Sequence, residues 1–326
     1  MTLRLVGLVF VAMSACRSDS VGPGGEPTPV VPPLAVPADL PDDLGTKAFE
    51  HVRATVAFGA RHSGTSGWQR SVDYIAASLV DLGLEVERDR WTDPTEGLTF
   101  ENVVAVIPGT RPDRIVLGCH HDTKITSGHA DPEHNFDFVG ANDPGSAVGL
   151  LLALAEHFAK APPPPATLEL VFFDGEESLP FDWDPSRALF GSKRFVAEAT
   201  RRIESGAAAP IRAMILLDMV GAADLTIDEE TWSTAELKDL VMRAARALGH
   251  ERYFFANELR VRDDHLPFLE AGIPAVDLID LADNPQWHTK DDTIEHLRAS
   301  SMQIVGEVVL TMLPAVCDLY LPSRDR

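Results

Sequence analysis

The sequence predicts an α/β fold built on a largely parallel sheet. Segments with apolar residues at helical spacing alternate along the chain with short apolar runs, as in strand–helix–strand units. Ile115–Cys119 is a continuous apolar run, as expected of a central strand buried on both faces. No internal repeat or second linker interrupts the alternation after about Pro37. Residues 38–326 are therefore predicted to form one domain.

Each predicted element follows from its apolar spacing and from the residues that end it. Gly83 ends the first predicted helix, and the four prolines 162–165 end the second. The helices are predicted at Ser66–Leu82, Pro144–Lys160, Ser233–Leu248 and Ser301–Leu319. The strands are predicted at Leu84–Arg90, Asn102–Ile107, Ile115–Cys119, Leu168–Phe173, Ile211–Leu217 and Ala275–Ile279.

The first 37 residues are predicted to lie outside the folded domain. Arg4 precedes the short apolar stretch Leu5–Met13, which has the form of a secretory signal, whereas a membrane span needs about 20 apolar residues. Small residues directly before Cys16 resemble a bacterial lipoprotein signal, so residues 1–16 are predicted to be a signal peptide with Cys16 lipidated. Residues 17–37, rich in Pro and Gly, are predicted to be a disordered tether. We therefore expect an exported protein, lipid-anchored in the bacterial cell envelope (periplasm or outer membrane), with plain secretion as the alternative.

The charge balance excludes some partners. The formal net charge of −22 supplies no basic stripe for nucleic acid and no attraction to anionic lipid. We therefore expect no nucleic-acid partner, membrane contact only through the N-terminal lipid anchor, and a monomer. The acidic surface is interpreted as a solvated one, with a preference for cationic peptides as the alternative. Cys119 and Cys317 lie in apolar segments and are predicted to be free buried thiols, with a disulfide between them as the alternative.

Potential metal ligands follow several of the predicted strands. These residues are His120, Asp122, Asp143, Glu176, Glu177, Asp218 and His288. Because ligands bind at the carboxyl ends of strands in α/β sheets, we expect these side chains to converge on one pocket. Imidazole and carboxylate donors without a thiolate suit a catalytic zinc ion. Asp143 could also be a simple helix N-cap, but its place among the other ligands favours metal binding.

The spacing of these residues suggests different roles. On extended backbone His120 and Asp122 face the same way and His121 faces away, so His120 is a candidate ligand and Asp122 a carboxylate that orients it. The side chains of Glu176 and Glu177 diverge, since they are adjacent. One of them can bind a metal while the other acts as a general base.

The ordered set His-x-Asp, Asp, Glu-Glu, Asp, His resembles the co-catalytic zinc aminopeptidase superfamily. Three longer motifs resemble one branch of it, the glutaminyl-peptide cyclotransferases (glutaminyl cyclases). They are Phe172-Phe173-Asp174-Gly175-Glu176-Glu177 with Trp183 and Gly191-Ser192, Asp263-Asp264-His265-Leu266-Pro267-Phe268-Leu269, and Trp287-His288-Thr289-Lys290-Asp291-Asp292. The resemblance covers nearly all of residues 45–320. It implies a three-layer α/β/α sandwich with a mostly parallel central mixed sheet.

The resemblance also implies a role for each matching position. The implied zinc ligands are Asp143, Glu177 and His288. Glu176 would be the acid/base catalyst, Asp218 and Asp263 a hydrogen-bonded carboxylate pair beside it, and Trp183 and Trp287 the pocket walls. In the hydrolases, the residues matching His120 and Asp218 bind a second metal, so one zinc ion is expected and two are possible.

The implied activity is conversion of the N-terminal Gln of peptides or proteins into pyroglutamate, with release of ammonia. Some positions depart from the animal cyclases: Arg262 stands where they have an uncharged amide, and residues 282–286 lack an aromatic side chain. The alternatives are a two-zinc aminopeptidase that hydrolyses N-terminal residues and a non-catalytic lipoprotein that binds peptide or zinc.

Overall fold

A six-stranded mixed sheet lies at the centre of the structure, a computed structural model that describes residues 34–323. The eight strands are β1 (Glu85–Thr92), β2 (Thr99–Ile107), β3 (Arg114–His120), β4 (Thr167–Phe173), β5 (Ile211–Asp218), β6 (Ile227–Glu230), β7 (Phe254–Leu259) and β8 (Ala275–Ile279). The sheet order is β1-β2-β4-β3-β5-β8, and β6 and β7 form a separate pair. β3, β4, β5 and β8 run parallel, whereas β1 and β2 pair in antiparallel fashion.

Helices cover both faces of the sheet. They are α1 (Leu44–Val56), α2 (Ser66–Asp81), α3 (Gly145–Phe158), α4 (Phe190–Glu204), α5 (Ala235–Leu248), α6 (Leu266–Glu270) and α7 (Ala299–Tyr320). Alternate residues of β3 enter two apolar clusters. Leu117 packs in the cluster that holds α1, α2, α3, α5 and α7, and Val116 packs in the cluster that holds α4 and α6. The predicted three-layer α/β/α sandwich is thereby confirmed.

The predicted strands and helices are all present, with bounds that shift by a few residues at most. Ala275–Ile279 has the predicted bounds. β3 lies in the middle of the sheet with all seven residues buried, as its apolar run predicts. The elements that the sequence analysis did not predict are α1, α4, α6, β6 and β7.

The strand register brings several candidate site residues to one edge of the sheet. His120, the last residue of β3, pairs with Phe173, the last residue of β4. Asp218 ends β5 and pairs with Ile279 at the end of β8. The carboxyl ends of the parallel strands therefore deliver polar side chains to a common region, as expected for this class of sheet.

α7 is a core helix despite its composition. Its 22 residues and a mean hydropathy of 1.5 over its most apolar window are enough for a membrane span by length and composition, but 67% of that window is buried inside the fold. Cys317 on α7 and Cys119 on β3 are both buried and free, as predicted. The predicted signal peptide, Cys16 and most of the predicted tether lie outside the described residues, and residues 34–37 form no helix or strand.

Candidate active site

Asp143 lies between two histidines and contacts both. Its Oδ2 is 3.3 Å from His288 Nε2, and its Oδ1 is 3.2 Å from His120 Nε2. His288 Nε2 is also 3.0 Å from Glu177 Oε1, and His120 Nε2 is 3.3 Å from Asp218 Oδ1. The structure thus brings together the predicted ligand set Asp143–Glu177–His288 and the predicted second-metal residues His120 and Asp218. Asp143 also groups with these two, a sharing that was not predicted.

The donor atoms of both sets fit a metal ion. In each set the atoms lie within 4.8 Å of one another. Ligands about 2.0–2.2 Å from a tetrahedral zinc ion stand roughly 3.3–3.6 Å apart, close to the separations seen here. Burial opposes protonation of His288, but the carboxylates of Glu177 and Asp143 outweigh it and raise its pKa to about 9. A site that attracts protons this strongly through its carboxylates also attracts a divalent cation.

Asp122 holds the backbone of the glutamate pair. Its Oδ1 accepts a hydrogen bond from the Glu176 amide at 3.1 Å, and its Oδ2 accepts one from the Glu177 amide at 3.4 Å. His120 Nδ1 lies 3.6 Å from Asp122 Oδ1 and closer, at 3.1 Å, to the Asp122 backbone oxygen. The Asp122 carboxylate therefore positions the backbone of both glutamates and also lies near the His120 imidazole. His121 faces away, as predicted, and its Nε2 contacts the Glu101 backbone oxygen at 2.9 Å.

Glu176 is buried next to the donor set. Burial is the main cause that raises its pKa well above its usual range, and the negative charge of Asp263 adds to the effect. A raised pKa makes a carboxylate a stronger base, so that it accepts a proton more readily and can later return it. Glu176 therefore has the environment of an acid/base catalyst.

Tryptophan side chains line the cavity that opens above these residues. The cavity has a volume of about 420 Å³, and Trp183 and Trp287 both line it. They are among the few large apolar side chains in the described chain that stay exposed, at 39% and 45%. The Trp287 ring stacks on His288 with 4.2 Å between centroids. His288 itself has a φ of +51°, a strained value for a non-glycine residue and one that is often found at functional sites.

Residues 102–313 of the chain match the model of peptidase family M28. The chain belongs to this family. The glutaminyl-peptide cyclotransferase-like protein of Bos taurus is 31% identical over 278 residues, which are 78% of this chain and 71% of the relative. These matches confirm the resemblance on which the sequence analysis depends.

Solved structures share the fold of this M28 protein. The crystal structure of a glutaminyl cyclase from an Acidobacteriales bacterium has a TM-score of 0.75 at 30% identity and covers 90% of this chain and 99% of that one. A Zn-dependent exopeptidase from Parabacteroides distasonis has a TM-score of 0.73 at 26% identity and covers 87% of this chain and all of that one. The fold therefore occurs both in named cyclases and in a zinc-dependent hydrolase.

Residues that the sequence analysis missed hold the Asp143 loop of this M28 protein. The Asp292 carboxylate accepts hydrogen bonds from the amides of Asn142 at 2.7 Å and Asp143 at 3.1 Å. The buried Arg61 guanidinium donates to the backbone oxygens of Val139 at 2.6 Å and Gly140 at 2.7 Å. Asp292 ends the motif that begins at Trp287, so the sequence marks it, whereas no local pattern marks Arg61.

Lys124 is a second missed residue of the site. It is 1% exposed, its Nζ donates to the Ser178 backbone oxygen at 2.8 Å, and it lies 3.4 Å from Glu177 Oε2. A buried lysine needs such a partner because an uncompensated charge is costly in the interior. The feature that could have marked it is its position two residues after the His-x-Asp run.

A third buried carboxyl group joins the pair expected beside Glu176. Asp263 interacts with Asp277 on β8, and its negative charge also acts on Asp218. Asp218 lies against His120, and burial raises the pKa of Asp218 to about 7. Asp277 comes from the neighbouring strand, and its burial and the charge of Asp263 raise its pKa well above its usual range.

A buried histidine completes this network behind the cavity. His265 Nδ1 is 3.5 Å from Asp277 Oδ2, and its Nε2 is 3.2 Å from Glu230 Oε2. All three side chains are fully buried. His265 belongs to a motif of the sequence but was not predicted to have a role, and neither Asp277 nor Glu230 was predicted to lie near the site. Asp277 could have been recognised as unusual, because it is a charged residue in the middle of the apolar run Ala275–Ile279.

Proposed function

We propose that this M28 protein is a zinc-dependent glutaminyl-peptide cyclotransferase, which converts the N-terminal Gln of peptides or proteins into pyroglutamate and releases ammonia. One observation carries the proposal. A buried glutamate, Glu176, adjoins a three-residue zinc donor set in a tryptophan-lined cavity, with Asp263 nearby. The cyclase names of the relatives at 30% and 31% identity support the same reading.

Asp143, Glu177 and His288 are proposed to hold the zinc ion. A zinc ion bound there supplies Lewis-acid polarisation of the substrate's γ-carbonyl group. One ion suffices for this chemistry. His120 and Asp218 provide the remaining donors for a second ion.

Glu176 is proposed to move the proton. As the neutral α-amine of the substrate forms a bond to the γ-carbonyl carbon, the Glu176 carboxylate takes a proton from that nitrogen. The carboxylic acid returns the proton to the amide nitrogen, which leaves as ammonia when its bond to that carbon breaks. Asp218 and Asp263, which also line the cavity, are proposed to orient this nitrogen. Trp183 and Trp287 exclude water, so the tethered amine reacts in preference to a water molecule.

A two-zinc aminopeptidase is the second candidate. The shared position of Asp143 favours it, since the His120–Asp143–Asp218 set is also assembled. In that enzyme Glu176 would deprotonate a water molecule. A non-catalytic peptide- or zinc-binding lipoprotein has less support, because it has no need of a buried Glu176 beside the donor set.

The N-terminal residues are proposed to determine where the protein is located. Residues 1–16 are proposed to direct export, with Cys16 as the lipidated residue and residues 17–37 as a tether to the envelope. The rest of the chain is proposed to act as a monomer on peptide N-termini. A Cys16→Ser variant is expected to leave the membrane fraction; if it stays there, the lipid anchor is refuted.

The test of the activity uses the purified, zinc-loaded protein and a Gln-initiated peptide, followed by mass spectrometry. Loss of ammonia with the peptide chain intact is the expected result. Release of a free N-terminal residue would assign the protein to the aminopeptidases. If neither product forms although zinc is bound, the result would favour a binding protein.

A further inference from the structure

Two arginines stand on the rim of the cavity, opposite in charge to its floor. Arg260 and Arg262 both line the cavity and are exposed, whereas its floor carries buried carboxylates such as Glu177 and Asp263. Their guanidinium carbons lie 5.0 Å and 5.6 Å from the centroid of the same ring, that of Trp232. The cavity therefore has an acidic floor and a basic rim.

Within residues 34–323, neither guanidinium group has a carboxylate partner. Each one lies over the Trp232 ring. By contrast, ten other described arginines form ion pairs with Asp or Glu. In a chain with a net charge of −22, acidic side chains are plentiful. Arg260 and Arg262 have no such carboxylate partner and are therefore available to a carboxylate from outside the chain.

Both cations lie close in the sequence to a residue of the cavity floor. Arg260 and Arg262 are two residues apart, so on extended backbone they face the same way. They precede Asp263, which lies at the floor, by three residues and by one. A peptide advances by about 3.3–3.6 Å per extended residue. If its N-terminal Gln lies at Glu176 and Asp263, its second and third residues pass the rim.

We infer that Arg260 and Arg262 form a carboxylate-binding subsite, which selects Gln-initiated peptides with Asp or Glu at the second or third position. The inference rests on the proposed cyclase function. The planar guanidinium group binds a carboxylate through two parallel hydrogen bonds. Stacking on Trp232 holds both groups in place before the substrate arrives, so less side-chain entropy is lost on binding. The acidic surface as a whole would favour cationic peptides, and the rim reverses that preference near the reacting end.

The test compares three peptides that differ only at positions two and three, which are Glu-Glu, Gln-Gln or Lys-Lys. Ammonia release gives kcat/KM, and calorimetry with the pyroglutamyl forms gives affinity without turnover. The Glu-Glu peptide is expected to exceed the Gln-Gln peptide by about 3- to 20-fold, mainly through KM, as two partly exposed ion pairs would give. About 0.5 M salt should reduce this ratio, because it screens exposed charges.

Variants separate the subsite from general effects of charge. In the double variant Arg260→Gln/Arg262→Gln, the ratio between the Glu-Glu and Gln-Gln peptides is expected to fall to about 1. Arg53→Gln is the matched control: Arg53 lies over the Phe49 ring on α1, away from the cavity, and its loss changes the charge by the same sign. That variant should keep the ratio.

The possible outcomes distinguish the two proposals. Equal affinity and equal kcat/KM for the Glu-Glu and Gln-Gln peptides, or a preference that survives in the double variant, would overturn the subsite and leave the cyclase function in place. Absence of ammonia from all three peptides would overturn the cyclase function. Calorimetry would then still decide whether the rim selects carboxylates.

Discussion

Glu176 and Glu177 are neighbours in sequence but occupy different surroundings. Glu177 contacts His288 and Lys124. Glu176 is buried, and its burial and the negative charge of Asp263 both raise its pKa. Asp122 accepts hydrogen bonds from both backbone amides, so it fixes the point at which the two side chains diverge. This local arrangement lets one carboxylate bind a metal while the other stays free to exchange a proton.

The first prediction concerns Glu176. Glu176→Gln is expected to keep zinc but to lower kcat by about 10²- to 10⁴-fold, because the amide has nearly the same shape and cannot exchange the proton. Zinc content by elemental analysis and ammonia release at saturating substrate provide the two readouts. Glu177→Gln is the matched control and should lose zinc. Normal turnover in Glu176→Gln would refute the assigned role.

At the residue scale, the sequence predicted the donors but not their supports. His120, Glu177 and Asp218 follow apolar strands, and parallel strand ends converge, so their meeting could be foreseen. Arg61 and Asp292 act on the Asp143 loop across about 79 and 149 positions of the chain. Contacts at such separations depend on the completed fold, and no local pattern marks them.

At the element scale, α4 packs closely against the strand end that carries the glutamates. A Cβ atom on Gly191, the second residue of α4, would lie 2.4 Å from Asn102 Oδ1 and 2.6 Å from the Asp174 backbone nitrogen. Only glycine allows this approach. The first turn of α4 therefore supports the segment 174–177 directly.

A second prediction follows for the two ends of α4. Gly191→Ala is expected to lower the free energy of unfolding by about 1–3 kcal/mol through steric overlap and to lower kcat/KM about tenfold by displacing the glutamate segment. Urea unfolding and ammonia release measure the two effects. Gly206→Ala, beyond the other end of α4, has open space but a φ of +74°. It should lose stability and keep its activity; equal activity in both variants would contradict the argument.

The predictability of elements depended on how much apolar surface each one buries. α3 and α7 are apolar over most of their length and were predicted, as were the strands of the sheet. α4 buries only four residues, two of which are Gly191 and Ser192, and six of its fifteen residues are charged, so it offers little buried apolar surface to mark it as a helix. β6 is four residues long and mostly acidic, and only its pairing with β7 makes it a strand.

At the scale of the whole molecule, the excess of acidic residues affects stability. Asp280 follows β8 and is 3% exposed, and its Oδ2 accepts a hydrogen bond from the Thr226 amide at 3.1 Å. Burial, together with the nearby negative charges of Asp228, Asp283 and Asp224, raises the pKa of Asp280 to about 7. The folded protein therefore favours the protonated carboxyl group of Asp280. The contribution of this group to the free energy of unfolding is fully present below pH 3.8, its ordinary pKa, and is lost as the pH rises through about 7.

The third prediction tests this dependence with Asp280→Asn, which keeps an oxygen for the Thr226 amide and cannot ionise. Relative to the wild type, the variant should gain unfolding free energy as the pH rises from about 4 to 7, by at most about 1.4 kcal/mol per pH unit. Urea unfolding at a series of pH values measures the difference. Asp81→Asn, at an exposed position, is the control. A pH-independent difference for Asp280→Asn would contradict the shift.

The overall architecture was the most predictable level. Alternation of strand and helix patterns indicated the α/β class, and the resemblance supplied the three layers that the sheet and its two apolar clusters confirm. The carboxyl pairing between Asp263 and Asp277 was not predictable, because it depends on which strands become neighbours at the edge of the sheet.

The position of Asp143 between two imidazoles has a consequence for how such proteins diverge. Since one oxygen of Asp143 faces each histidine, the two donor sets share one residue on one backbone. Substitution of His120 or Asp218 would remove only the second set. The first set, Asp143–Glu177–His288, would then stay assembled on the same scaffold, so the second set can vary among related proteins without loss of the first.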